Sequence, residues 1–141
     1  MASIVKHLIS KNLVSVERGT PVIKAIELMA SHNMGSVIIT EGGKLAGIIT
    51  ERDIIRGIAK GISVHQPVEE FGTMKDLVTV REDDTVYTAV KKMAERNLRH
   101  LIVVDRDGKL KGVISVRDII RETHVLKAIS EIEKDEYVGS D

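Results

Sequence analysis

The chain has 141 residues, 43% of them hydrophobic but only 2% aromatic, with 21 Lys and Arg balanced by 21 Asp and Glu and no cysteine. That length suits one compact domain or two small halves sharing a core, and a core without aromatics must be built from Ile, Val, Leu, Met and Ala. The zero net charge argues against a counterion-displacing surface for nucleic acid, the few aromatics against base stacking, and the missing cysteines remove disulfide and thiolate chemistry and agree with a reducing compartment.

In chain order, the N-terminal "MASIVKHLIS" is broken by Lys6 and His7 where a signal peptide needs its apolar region. No later run approaches the ~18 apolar residues of a membrane span, so a cytoplasmic location is expected. A short β-branched run, "LVSV" at 13–16, is followed by Thr20 as a candidate N-cap and Pro21 as a first helical residue. Val22, Ile26 and Met29 then fall on one helical face. "SVIIT" at 36–40 and "LAGII" at 45–49 predict a hairpin around Gly42 and Gly43. A second helix is predicted from near Glu51 to a stop at Gly61.

Residues 61–73, "GISVHQPVEEFGT", contain Pro67 and Gly72 and read as a linker. The same order then begins again: "LVTV" at 77–80, a helix with the stripe Val86, Val90 and Met93, strands "LIVVD" and "LKGVI", and a helix from near Val116. Val125, Leu126, Ile129 and Ile132 continue a helical spacing, and the final "YVGSD" is expected to fray. The division expected is a first repeat at 1–62, a linker at 63–73, and a second repeat with a C-terminal helical tail at 74–141.

The two halves are copies. A shift of 64 residues lays Leu13 on Leu77, Val22 on Val86, Ala25 on Ala89, Met29 on Met93 and Asn33 on Asn97. Beyond the first hairpin turn the shift becomes 65, because "DRDGKL" is one residue longer than "EGGKL". There "GKLAGIITERDIIR" matches "GKLKGVISVRDIIR" at ten of fourteen positions. Two copies are too few for a solenoid and fit a pseudo-twofold pair.

Chemistry concentrates at the repeated helix starts. Thr50-Glu51-Arg52-Asp53 and Ser115-Val116-Arg117-Asp118 each follow a strand and open a helix. A hydroxyl with an acid three residues on is a capping-box variant that satisfies orphan amides. The same parts can also serve a small nucleotide: the helix start and hydroxyl for phosphate, the aspartate for two ribose hydroxyls, the arginine for charge. Spacing alone leaves both readings open. Arg99 and His100 stand at the entrance of a buried strand, where the first copy has Gly35 and Ser36. They are either a solvated rim or, across a pseudo-twofold axis, charge delivered to the other copy's helix start.

The five histidines show no metal-ligand pairing, and no P-loop, GxSxG or GxGxxG occurs. "DRDG" reads as a hairpin turn and not a calcium loop. Neither a metal site nor catalysis is expected, and no cofactor is required.

The repeated order, with its closing Gly-x-x-Thr/Ser-x-x-Asp in "GIITERD" and "GVISVRD", resembles the CBS (cystathionine beta-synthase) domain as a tandem pair over about residues 9–122. The resemblance implies an α+β, α/β-like fold: two βαββα repeats packed around a pseudo-twofold axis, a Bateman module with two clefts for adenosyl ligands such as AMP, ADP or ATP. One cleft would use Ser115, Arg117 and Asp118 with the backbone near Ser36 and Val37. The other would use Thr50, Arg52 and Asp53 with the backbone near Thr73, Arg99, His100 and Leu101. Asp53 and Asp118 would hold ribose hydroxyls, Arg99 and His100 would meet phosphate, and Val14 and Val78 would wall the adenine.

The first copy lacks an Arg or His at Gly35 and Ser36, so the clefts are expected to differ, with the Thr50/Asp53 cleft the stronger. The resemblance implies a regulatory nucleotide-sensing pair that stands without a catalytic domain, forms a homodimer and signals to a separate protein target. The alternative is a dimeric scaffold whose clefts are vestigial or take another ligand: S-adenosylmethionine, NADH or nucleic acid.

Overall fold

The computed structural model describes residues 3–9, 13–121, 127, 130 and 131. Each half runs strand, helix, strand, strand, helix. The first holds β1 (Ser15–Glu17), α1 (Val22–His32), β2 (Ser36–Glu41), β3 (Lys44–Thr50) and α2 (Glu51–Ala59). The second holds β4 (Thr79–Arg81), α3 (Val86–Arg96), β5 (His100–Val104), β6 (Leu110–Ser115) and α4 (Val116–Arg121). Short 3-10 turns at Val5–Leu8 and Val68–Glu70 precede the two sets. The predicted helix over 122–132 and the fraying of 137–141 lie outside the described residues, apart from Lys127, Ser130 and Glu131, which are helical.

Two three-stranded sheets form, ordered β1-β2-β3 and β4-β5-β6. β1 lies parallel to β2, with α1 as the crossover, and β2 turns back antiparallel into β3; β4, β5 and β6 repeat this. Both hairpins carry a register shift at the same place, between Ile39 and Thr40 and between Val103 and Val104. The "DRDG" segment is a turn held by Asp105 Oδ1, which accepts from the amides of Asp107 and Lys109, each at 2.9 Å.

Period-two alternation divides the middle strands between two layers. Val37 and Ile39 of β2 face α1 and α2, while Ile38 faces the opposite sheet. In β5, Leu101 and Val103 face the helices, and Ile102 and Val104 join Ile38 and Val113 in the layer between sheets. Both faces are buried, which explains why these strands read as continuous apolar runs.

Helix packing departs from the predicted stripes in two details. The helix-facing trio of α3 is Val86, Ala89 and Met93, matching Val22, Ala25 and Met29 of α1. Val90 is 42% exposed, because the i, i+3, i+7 face turns it outward. Thr20 does not cap α1: Pro21 is the capping residue and the Thr20 hydroxyl donates to Glu17 O at 2.6 Å. Thr85 does cap α3, accepting from Thr88 N at 3.1 Å. α2 ends before Gly61, which takes φ +85°.

The segments that lead into each half cross over. Residues 3–9 pack on the second core: Val5 is fully buried there, Ile9 lies against Gly112, and Val5 N donates to Asp84 O at 2.9 Å. Residues 62–74 pack on the first: Val68 is fully buried, and Val22 N donates to Gln66 O at 2.9 Å. Met74 covers Gly47 as Ile9 covers Gly112. Phe71 lays its ring on Gly57 of α2, where a Cβ would overlap it. Each core is thus closed by the segment preceding the other half, which joins the halves into one body.

Candidate functional site

α2 and α4 begin where β3 and β6 end, so each strand's last hydroxyl residue becomes the cap of the next helix. Asp53 N donates to Thr50 Oγ1 at 3.3 Å, and Asp53 Oδ2 accepts from Thr50 N at 2.9 Å and Thr50 Oγ1 at 3.0 Å. Ser115 and Asp118 reproduce the arrangement at 3.2, 2.8 and 2.9 Å. The capping half of the expectation therefore holds in both copies. All the carboxylate bonds fall on Oδ2; among the described residues, Oδ1 of Asp53 and of Asp118 accepts none. Capping uses one carboxylate oxygen of each aspartate.

The first amide of each of these helices is tethered to the entrance of its own middle strand. Glu51 N donates to Gly35 O at 3.1 Å and Val116 N to Arg99 O at 2.9 Å. Face-to-face packing of the sheets then brings each strand entrance near the helix start of the other half. Two cavities open at these junctions.

The first, about 220 Å³, joins Thr50, Arg52 and Asp53 of the first half to Arg99 and His100 of the second. Thr73 and Val78 line it too, with Ile48, Leu77 and Ile102 as further apolar wall. The second, about 380 Å³, joins Ser115, Arg117 and Asp118 to Gly35 and Ser36 of the first half. Val14, Val37 and Leu101 are not among the residues lining either cavity: the first two belong to the first core and Leu101 to the second. Of the two expected apolar walls, Val78 faces a cavity and Val14 faces the core.

Several lining residues are not among those expected in the clefts. Glu51, Arg56 and Asp76 line the first cavity; His32, Asn33 and Arg121 line the second. Asn33 and Asn97 end α1 and α3 in the left-handed conformation, φ 52° and 53°. The shared place in the repeat of Asn33 with Asn97, and of Arg56 with Arg121, is a sequence signal that pointed here. Arg52 Nη1 donates to Asn97 O at 2.8 Å, a bond across 45 residues that ties α2 to the end of α3.

His100 is held below its ordinary pKa, first by burial and further by Arg117 and Arg99, while Glu51 and Asp118 oppose the shift. The ring is therefore largely the neutral imidazole near neutral pH. Among the described residues no cluster of His, Asp or Glu could hold a metal ion, and no helix is long and apolar enough to cross a membrane.

The family model of the CBS domain matches residues 5–60 and again 68–131. The chain belongs to the CBS domain family. An uncharacterized 17.7 kDa protein of Acidianus ambivalens is 34% identical over 122 residues, 86% of this chain and 73% of that protein. A solved CBS domain protein from Pyrobaculum aerophilum, complexed with AMP, superposes with TM-score 0.80 at 26% identity, covering 91% of this chain and 98% of that one. The CBS domain pair of protein MJ0100, solved with 5′-methylthioadenosine and S-adenosyl-L-methionine, gives TM-score 0.77 at 29% identity, covering 86% and 95%. Some curated relatives are longer: this chain spans 22% of an inosine-5'-monophosphate dehydrogenase of Aquifex aeolicus that is 34% identical over 111 residues. The tandem CBS pair and its α+β fold, expected from the resemblance, are both present.

Proposed function

We propose that this CBS pair is a regulatory module that senses an adenosine nucleotide, AMP, ADP or ATP, in the clefts between its repeats. The observation that carries the reading is the composition of each cavity: a capped hydroxyl and aspartate from one half meet the strand entrance of the other, with Oδ1 of the aspartate unengaged. That oxygen is an acceptor suited to ribose hydroxyls. Arg99 and His100 supply a cation and a chargeable imidazole for phosphate. Thr50 and Ser115 lie by sugar and phosphate, Arg52 and Arg117 add charge, and Val78 walls the base. The AMP and S-adenosyl-L-methionine complexes of the similar proteins support an adenosyl ligand.

The pair carries out no chemical step in this reading. It acts in the cytoplasm on a separate protein target, and a ligand switches it by binding two conformations unequally. Ile55 and Ile58 on α2 are 68% and 53% exposed, and Val116 and Ile120 on α4 are 37% and 49% exposed. These paired apolar faces favour a homodimer, the one feature this reading shares with a scaffold.

Isothermal titration of nucleotide-stripped protein with AMP, ADP, ATP, S-adenosylmethionine and NADH tests the assignment. Saturable binding of an adenine nucleotide, weakened by Asp53→Asn or Asp118→Asn, is the expected result. Silence from all five ligands overturns it in favour of the scaffold.

A further inference from the structure

Glu51, Arg99 and His100 line both cavities. The wall is compact: a Cβ placed on Gly35 would overlap Glu51 Oε1 and stand 3.0 Å from His100 Nε2. Glu51 and the His100 ring therefore both lie against the bare backbone of Gly35, and both line the two cavities.

A duplicated chain could have supplied this wall twice. The repeat register pairs Arg99 with Gly35, His100 with Ser36 and Glu51 with Val116. At each of the three positions the counterpart is uncharged. The tethers confirm the pairing in space, since Glu51 N meets Gly35 O where Val116 N meets Arg99 O. Two pseudo-equivalent clefts thus share one guanidinium, one imidazole and one carboxylate, while His32 lines the second cleft alone. Each cleft also has arginines of its own, Arg52 and Arg56 in the first and Arg117 and Arg121 in the second. These set each cleft's separate affinity and do not depend on whether its neighbour is filled.

We propose that the two clefts compete for this one cationic pair. Arg99 and His100 serve the phosphate of a ligand in either cleft, so a chain holding one phosphorylated adenosyl ligand binds a second weakly while still accepting an uncharged one. A phosphate ester carries between one and two negative charges at neutral pH. Two of them across one partly buried wall repel, and neither can have the full benefit of Arg99 while the other holds it. An uncharged nucleoside makes no such demand. The pair thereby distinguishes a doubly phosphorylated from a mixed occupancy. This inference rests on the adenosine-ligand reading above.

Calorimetric titration of the full chain with AMP and, separately, adenosine tests it, using wild type, Asp53→Asn, Asp118→Asn and Arg99→Gln. Asparagine keeps a carbonyl for the capping bonds, and Arg99 contributes only its backbone carbonyl to the fold, so thermal melts should show every variant folded. In each aspartate variant the surviving cleft is expected to bind AMP with its own affinity. In wild type, the second AMP is expected to bind at least about tenfold more weakly than the weaker of those two clefts does alone. For adenosine, the wild-type isotherm should equal the sum of the two single-cleft isotherms.

Arg99→Gln is expected to weaken both AMP steps and leave adenosine unchanged. A wild-type AMP isotherm equal to the sum of its single-cleft isotherms, or an Arg99→Gln loss confined to one step, overturns the inference and leaves the ligand reading standing. No binding of either ligand by any form overturns the inference, and silence from ADP, ATP, S-adenosylmethionine and NADH as well overturns the ligand reading.

Discussion

At the start of α2 and at the start of α4, hydroxyl, aspartate and backbone make the same three bonds at nearly the same lengths. One helical turn away the halves part. Arg52 is tied to Asn97 O, whereas no equivalent bond from Arg117 to Asn33 occurs among the described residues. The strand entrances differ more: Gly35 and Ser36 in one half, Arg99 and His100 in the other. The contrast teaches that the two copies keep the capped helix starts and differ at the strand entrances between the clefts. Backbone capping is demanded by every helix start, but a wall between two clefts needs its charges only once.

The largest effect expected from this comparison is on stability. The first core is closed by Phe71, buried to 8% exposure, and the second by Val5, fully buried. Phe71→Ala should cost ~3–5 kcal/mol, the range for an aromatic truncated in a core. Val5→Ala removes far less surface and should cost about 1–2 kcal/mol. Urea unfolding of both variants checks the ranking; equal losses would mean that the two crossing segments close their cores to the same degree.

Next in size is the ligand effect of the two aspartates. A charged acceptor bonded to ribose is worth ~1.5–3 kcal/mol, so each Asp→Asn change should weaken its own cleft by roughly 10- to 150-fold. The same change should leave the other cleft within about threefold for adenosine, because distant sites add. Calorimetry with adenosine reads both numbers.

Smaller again is the contrast between the two arginines. Arg52→Ala removes an exposed bond to Asn97 O and should lower stability by about 0.5–1 kcal/mol. Arg117→Ala should stay within ~0.5 kcal/mol of wild type, as surface changes usually do. Thermal melts at matched concentration separate the two.

The smallest effect is the pH dependence from His100, whose folded pKa lies below the ordinary value of 6.5 because of burial. The unfolded chain then takes up a proton more readily than the folded one. Stability is full above 6.5 and is lost as pH falls from there toward the depressed folded value. His100→Gln should flatten that slope in urea titrations at pH 7.5 and 5.5. A phosphate beside His100 raises its pKa, so relative to His100→Gln, which shares the phosphate's own titration near pH ~6, wild-type AMP binding should gain as pH falls through the same window. Parallel pH profiles of AMP affinity in wild type and His100→Gln would place the phosphate away from this ring.

Much of the architecture was legible beforehand because it is local. The hairpins follow from apolar runs with glycine-containing turns, and the capping boxes from a hydroxyl with an acid three residues on. Where reading failed, a short-range alternative was decided by longer-range packing. Thr20 looked like a cap, but the bridge between Pro21 and Pro67 and the bond from Val22 N to Gln66 O start the helix one residue later. Val90 fitted an i, i+4, i+7 stripe, but the second core took Ala89 instead. Val14 was expected at a ligand and went to the core.

By itself, then, the sequence determined the duplication, the order of elements, the capped helix starts and the family, because these rest on residues close together along the chain. Only the tertiary structure decided that residues 3–9 close the second core and 62–74 the first. It alone decided that Glu51, Arg99 and His100 stand between two cavities. Those placements depend on how two sheets pack face to face across an axis that relates copies differing at the three wall positions, Arg99 against Gly35, His100 against Ser36 and Glu51 against Val116. No periodicity within either copy records that relation.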